Sequence, residues 1–363
     1  MQMTALSSLS LFARTDAADH WLTYCQQHST VHQDSSHTCQ DAPADVVSYD
    51  SLTNDDGIEL LRTHTRASGE KEQSRIHIDG DCLSCATLAE MTDYLPAIAE
   101  RTERLLLILP PGVSISTALK VANDCPHIEL VTASLAVLDS DIEDDLWSSE
   151  TLNARGVTGS CADERTPGEF VVADLSYADT ALVATHPFDC ESSNHRRTLE
   201  LLRNIAPHLT VISVEHKEPA ECGYHNIVAA QTRARPGHLH VTEDVLLGEN
   251  GEFSTAVITT EKLIDSEQLA QLLPQIVEGM VRVRGHVWLD SHQDDRVAVE
   301  GIGPVVWLQT HGAWGRKLPA TRIALTGEDV NAAELQKLLE TCTITGDDIA
   351  QELLRADQTL KEG

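Results

Sequence analysis

A chain of 363 residues with 57 Asp plus Glu against 26 Lys plus Arg carries a formal charge of −31 at pH 7. So negative a surface repels phosphate backbones. The basic residues are scattered, with Arg196/Arg197 and Arg282/Arg284 the densest pairs, so no direct nucleic-acid contact is expected. No run approaches the roughly 18 consecutive apolar residues that a membrane helix needs, which excludes a helical span. The apolar start, Met1 to Phe12, lacks a basic n-region, so no signal peptide is expected. Nine cysteines, an odd number, fit reduced thiols better than a disulfide framework, so a cytoplasmic setting is the expectation.

In chain order, short apolar runs alternate with amphipathic stretches, the pattern of a βα-repeating domain around a mostly parallel sheet. Ala5 to Phe12 reads as a first strand and Ala17 to His28 as a helix, while His32 to Ala44 is polar and reads as a loop. Leu60 to Thr65 and Arg75 to Asp79 are predicted strands around a turn, Arg66 to Ser74. Ala86 to Arg101 is a predicted helix, because Leu88, Met91, Leu95 and Ile98 recur at three and four. Leu105 to Leu109 is an apolar strand stopped by Pro110-Pro111-Gly112, and Ile128 to Leu138, Ala181 to Thr185 and Leu209 to Val214 read as further strands, with a helix from Asn194 to Ile205.

The breaker-rich stretch Arg233 to Gly237 divides the chain into domains expected at 1–232 and 238–355. In the second, strands are predicted at Ser254 to Thr259, Gly279 to Leu289, Val297 to Glu300, Val305 to Gln309 and Arg322 to Leu325. Helices are predicted at Ser266 to Glu278 and Asn331 to Cys342, which makes an α+β module.

The most specific local signal is Gly80-Asp81-Cys82-Leu83-Ser84-Cys85, between a strand and a helix. Two thiols three residues apart can chelate one soft ion, and a helix N-terminus favours the thiolate that binds it. Closing a zinc site needs further donors, and His77, Asp81, His238 and His240 are the candidates. The same spacing at a strand-to-helix turn is also the thioredoxin-like redox arrangement. Cys25, His28, His32, His37 and Cys39 gather more soft donors, though their irregular spacing in a polar stretch is what composition alone would give. Catalysis has no sequence signature. The chain has no G-x-x-x-x-G-K-[ST], G-x-G-x-x-G, G-x-S-x-G or H-E-x-x-H, and Arg14 to Asp19 offers two carboxylates where phosphate-binding glycines and a lysine would be needed.

The stretch Met280-Val281-Arg282-Val283-Arg284-Gly285-His286-Val287-Trp288 resembles the hallmark strand of the CobW C-terminal domain. The match continues through Trp307 to Trp314, Arg322 to Gly327 and Leu335 to Cys342. Gly80 to Cys85 looks like that family's Cys-x-Cys-Cys metal motif, with Ser84 in the middle position, so the resemblance runs from Leu60 onward. It implies a P-loop-NTPase-like sheet flanked by helices, followed by a smaller α+β domain, in a family of GTPase-related metallochaperones that deliver zinc or cobalt. Three nucleotide motifs depart from the family together. Arg14 to Asp19 replaces the phosphate loop, Leu109-Pro110-Pro111-Gly112 replaces Glu-x-x-Gly, and His186-Pro187-Phe188-Asp189 replaces Asn-Lys-x-Asp. Only Asp189 remains for a nucleotide, and GTP turnover is not expected. A degenerate branch common in actinobacteria looks similar, and it is associated with zinc limitation and ribosome hibernation. The resemblance therefore implies a cytoplasmic zinc-homeostasis protein with metal ligands Cys82, Cys85, His77 and His240 and a metal-accepting client. The alternative is a non-catalytic adaptor recruiting a ribosome-associated factor. Arg282, Gly285 and Trp288 are expected to serve strand packing.

Overall fold

The computed structural model describes residues 1–28, 44–54, 57–78, 80, 82–159, 163–186, 192–216, 224–239, 251–316 and 318–344. The chain divides into two compact units, Met1–Ala234 and Arg235–Gly363.

The first unit is an eight-stranded sheet flanked by helices. In chain order it runs β1 (Gln2–Ser8), α1 (Leu11–His28), β2 (Asp45–Asn54), β3 (Gly57–Thr65), β4 (Lys71–His77), α2 (Leu83–Ala99), β5 (Arg104–Ile108), α3 (Ile115–Asp124) and β6 (Glu129–Leu138). It continues with α4 (Ile142–Trp147), α5 (Pro167–Tyr177), β7 (Thr180–Ala184), α6 (Ser192–Ile205), β8 (Thr210–Ser213) and α7 (Ile227–Arg233). The strand order is β4-β3-β2-β5-β1-β6-β7-β8. The six strands from β2 to β8 in that order pair parallel, and β3 and β4 add an antiparallel edge. The mostly parallel sheet expected from the alternating pattern is thus present. Its central strands are apolar throughout because both faces are covered. Leu6, Leu106, Ile108, Ala136, Leu138, Leu182 and Ala184 pack with Ala13, Ala17 and Trp21 of α1.

Three local expectations need correction. The first strand ends at Ser8 and not at Phe12; Leu9, Leu11 and Phe12 carry apolar residues on past it into α1, so the apolar pattern does not mark the boundary. β2 was not predicted: its polar residues alternate with the buried Val47 and Tyr49, and nothing in a run such as Ser48-Tyr49-Asp50-Ser51 looks apolar. The turn between β3 and β4 is shorter than Arg66 to Ser74, closing through Gly69 at φ 87° with Arg66 N donating to Glu70 O at 2.8 Å.

The second unit is an all-antiparallel sheet, order β12-β11-β10-β13-β9. Its elements are β9 (Ser254–Thr260), α8 (Ser266–Ile276), β10 (Met280–Val287), β11 (Asp295–Ile302), β12 (Val305–Ala313), β13 (Thr321–Gly327) and α9 (Ala332–Thr341). Side chains alternate across such a sheet. One face, with Val283, Val287, Val297, Val299, Ile323 and Leu325, buries itself against Leu269 and Ile276 of α8 and Leu335 and Leu339 of α9. The other face carries Arg282, Arg284, His286 and Glu300.

Candidate functional site

In an open parallel sheet, ligands bind outside the carboxyl ends of the strands where the strand order reverses. Here that place is the exit of β1, which lies between β5 and β6. Only Leu9 and Ser10 separate β1 from α1. Two of the amides that a phosphate would seek are already used: Ser8 Oγ accepts from Ser10 N at 3.0 Å, and Ser10 Oγ accepts from Ala13 N at 3.2 Å. Ser8 Oγ in turn donates to Ala136 O at 2.8 Å, fixing the turn to β6. Residues Arg14 to Asp19 lie inside α1 and not in a loop, so the turn after β1 is Leu9-Ser10. Arg14 is buried and committed elsewhere, donating to Tyr49 O and Leu109 O at 3.0 Å each and pairing with Asp50.

Beside this turn lies a cavity of about 230 Å³, lined by Leu9, Ser10, Leu138, Asp141, Asp145 and Arg155 among others. Arg155 pairs with Asp145, so its charge is met within the protein. Two carboxylates and no lysine make this a poor phosphate pocket. Further along the same edge, Asp139 accepts from Thr185 Oγ1 at 2.7 Å and lies 3.0 Å from His195 Nδ1. His186 packs its ring against Phe12. Asp189, expected from the resemblance to contact a nucleotide, lies outside the described residues.

Asp174 of α5 is fully buried and accepts from Ser7 Oγ at 2.6 Å, from Ser114 Oγ and from Ile115 N at 3.1 Å. Burial pushes its carboxyl up to about 6 despite those hydrogen bonds, and burial does the same to Asp145 against the pull of Arg155. A folded-state value raised above the unfolded one means that the folded chain binds the extra proton. The stability from these groups is complete below the ordinary carboxylate range and is lost as pH rises through about 6. Lowering pH from 7.5 to 5 should therefore add about 1 kcal/mol per group to the first unit. Asp174→Asn should lose its share. Denaturant unfolding of both proteins at the two pH values checks this, and an identical pH increment in the variant would contradict it.

The thiol pair sits at the other landmark of the sequence. Gly80, at φ 110°, turns the chain between β4 and α2, and Cys82 is the N-cap of α2. Cys82 Sγ accepts from Cys85 N at 3.1 Å, and the two exposed cysteines are joined as a disulfide. In the reduced form both sulfurs would meet the amide end of α2, which favours thiolates. His77 closes β4 and is exposed. His240, Asp81 and the stretch with His32, His37 and Cys39 lie outside the described residues. Among the described residues no three His, Cys, Asp or Glu side chains are grouped to hold a metal ion, so His77 is not assembled with the cysteines into a three-donor site.

In the second unit, Arg282 donates to Val283 O and Gly301 O at 2.8 Å each and pairs with Glu300. Gly285 lies under the backbone of β13, where any Cβ would sit 2.1 Å from Arg322 O. Trp288 Nε1 donates to Gln293 O at 3.1 Å. Each is therefore committed to holding the sheet. Residues 253–343 match the family model of the cobalamin synthesis protein cobW C-terminal domain. This stretch is similar to that domain. It spans β9 to α9, and Arg282, Gly285 and Trp288 belong to its framework. Among solved structures, the chain is similar to the Zn(II)-bound YjiA GTPase from E. coli, at 14% identity over 95% of this chain and 99% of that one, with a TM-score of 0.34. A Zn(II)-bound triple mutant of YjiA GTPase matches at the same identity and coverage with a TM-score of 0.35. No curated protein matches the chain. Among the described residues no helix is long and apolar enough to cross a membrane.

Proposed function

We propose that this chain is a metal-handling protein of the cytoplasm that carries zinc on the reduced Cys82 and Cys85 thiolates and works without nucleotide turnover. The observation that carries the reading is the placement of both sulfurs, exposed and within bonding distance of each other, on the first turn of α2. Zinc prefers four tetrahedral ligands, and the donor chemistry of the pair supplies two. His77, His240 and Asp81 are the donors proposed to add to them. A site with few protein ligands leaves positions open, which suits handing the ion to a client protein. The CobW C-terminal domain supports a metal-related role. The two-residue β1–α1 turn and the internal commitment of Arg14 support independence from GTP, because at this turn the described residues offer neither a glycine-rich amide cradle nor a free cation for phosphates.

The test is zinc competition against a chromophoric chelator on reduced full-length protein. The expected result is loss of the bound zinc in Cys82→Ser/Cys85→Ser and a roughly 10-fold weakening in His77→Ala, the size found when one supporting group is removed. Labelled GTP should not bind either protein. Unchanged zinc affinity in the double variant would overturn the metal reading. It would favour a non-catalytic adaptor, whose −31 charge suits docking to a basic, ribosome-associated protein factor.

A further inference from the structure

We propose that the face of the second sheet turned away from α8 and α9 holds a binding site for a phosphate-class oxyanion, centred on Arg296. The site is independent of the thiol pair. Register places His286 of β10, Ala298 of β11 and Gln309 of β12 in one row. Arg296, two residues along β11 from Ala298, shares their face. The neighbouring row is Arg284, Glu300 and Trp307, with Arg282 beyond it. With Arg322 of β13, which pairs with His286, four guanidiniums thus meet a single carboxylate among the strand residues of this face, and Glu300 is already engaged by Arg282 and Arg284. In a chain with more than twice as many acidic as basic residues, such a surplus of positive charge is local and uncompensated.

The second observation is a set of orphaned polar atoms. Arg296 Nε, Trp314 Nε1 and His286 Nε2 are buried without a hydrogen-bond partner. Trp314 stands next to the start of β11, its N donating to Asp294 O at 3.2 Å. Buried donors in native proteins are nearly always satisfied, so the orphaned N–H groups of Arg296 and Trp314, on β11 and on the turn beside its start, point to a missing acceptor. His286 feels the same field. Burial first, then Arg296, His311 and His238, hold its imidazole down to about 4, with Glu300 opposing them. A cation is the wrong occupant, because Arg296 stands among the histidines. A carboxylate offers two oxygens in one plane. A tetrahedral oxyanion offers acceptors in several directions, which suits a guanidinium, an indole and an imidazole placed on two strands and a turn.

The test titrates inorganic phosphate into the full-length chain at constant ionic strength, followed calorimetrically and by the His286 ring resonances. Glycerol phosphate and acetate are titrated in parallel. Saturable phosphate binding that shifts His286 is expected. It should weaken at least 10-fold in Arg296→Gln and a few-fold in Trp314→Phe, and stay unchanged in Arg75→Gln on the exposed edge of the first unit. Equal binding of the ester would identify a phosphate monoester as the ligand, and binding of the inorganic ion alone a free anion; either supports the site. Acetate binding as tightly as phosphate, or wild-type affinity in both Arg296→Gln and Trp314→Phe, would overturn it. Should Arg296→Gln fail to fold, Trp314→Phe decides alone, since it removes one N–H and keeps an aromatic ring.

Discussion

Glu300→Ala is expected to destabilise the second unit by about 3–5 kcal/mol, the usual loss when one partner of a buried charge network is removed. Glu300 is 5% exposed, and its Oε1 accepts from Gly237 N at 2.7 Å and from Arg284 Nε at 3.1 Å, while Oε2 pairs with Arg282. Burial alone would push this carboxyl up, but Arg282 and Arg284 outweigh it and hold the group below its ordinary value. Burial and the like charge of Arg282 pull Arg284 down to about 10. Truncation would leave two desolvated guanidiniums without their counter-charge and the Gly237 amide without its acceptor. Because the folded value is depressed, the stability from Glu300 is present above the ordinary carboxylate range and lost as pH falls through the folded value. Glu300→Gln, which keeps one acceptor oxygen, should fall between wild type and alanine. Denaturant unfolding at pH 7 reads all three, and a loss under about 1 kcal/mol in Glu300→Ala would contradict a structural role, being no more than a surface pair is worth.

Gly285→Ala is the second large effect. A Cβ there would lie 2.1 Å from Arg322 O and 2.7 Å from Ile323 Cα, and both atoms are backbone of β13. No rotamer change relieves that clash, so β10 and β13 must part along their shared ladder. The expected cost is about 3 kcal/mol or more, at the upper end of overpacking losses. Gly312→Ala sets the scale: its φ of 68° strains an alanine, but nothing lies within 4 Å of the new Cβ. That substitution should cost about 1 kcal/mol, the backbone term alone. Unfolding of the two variants side by side checks the ordering, and equal losses would contradict it.

The alternating architecture was readable because buried parallel strands such as Leu105 to Ile108 are continuous apolar runs, and because α2 repeats Leu88, Met91, Leu95 and Ile98 on one helical period. Boundaries were less readable where the chemistry does not change. Leu9, Leu11 and Phe12 extend the apolar pattern past β1, so the sequence points to Arg14 to Asp19 for the turn after β1 while the turn is Leu9-Ser10. The thiol pair was legible because its two donors are three residues apart. The carboxylate networks were not: Ser7 meets Asp174 across 167 residues and Asp139 meets His195 across 56, distances over which no spacing rule operates. The hallmark strand of the CobW C-terminal domain revealed Arg282 and Gly285, yet the orphaned donors of Arg296 and Trp314 emerge only once β11 and β12 are paired in register.

The central claim is that the free thiols of Cys82 and Cys85 hold zinc without help from nucleotide. The most direct measurement is the zinc stoichiometry of the same full-length protein after equilibrium dialysis, once with the pair reduced and once with it oxidised, each with and without GTP. A disulfide offers no thiolate, so the account expects one zinc per chain in the reduced protein, none at this site in the oxidised protein, and no change with GTP. Equal zinc in both redox states, or zinc that appears only with GTP, would contradict it.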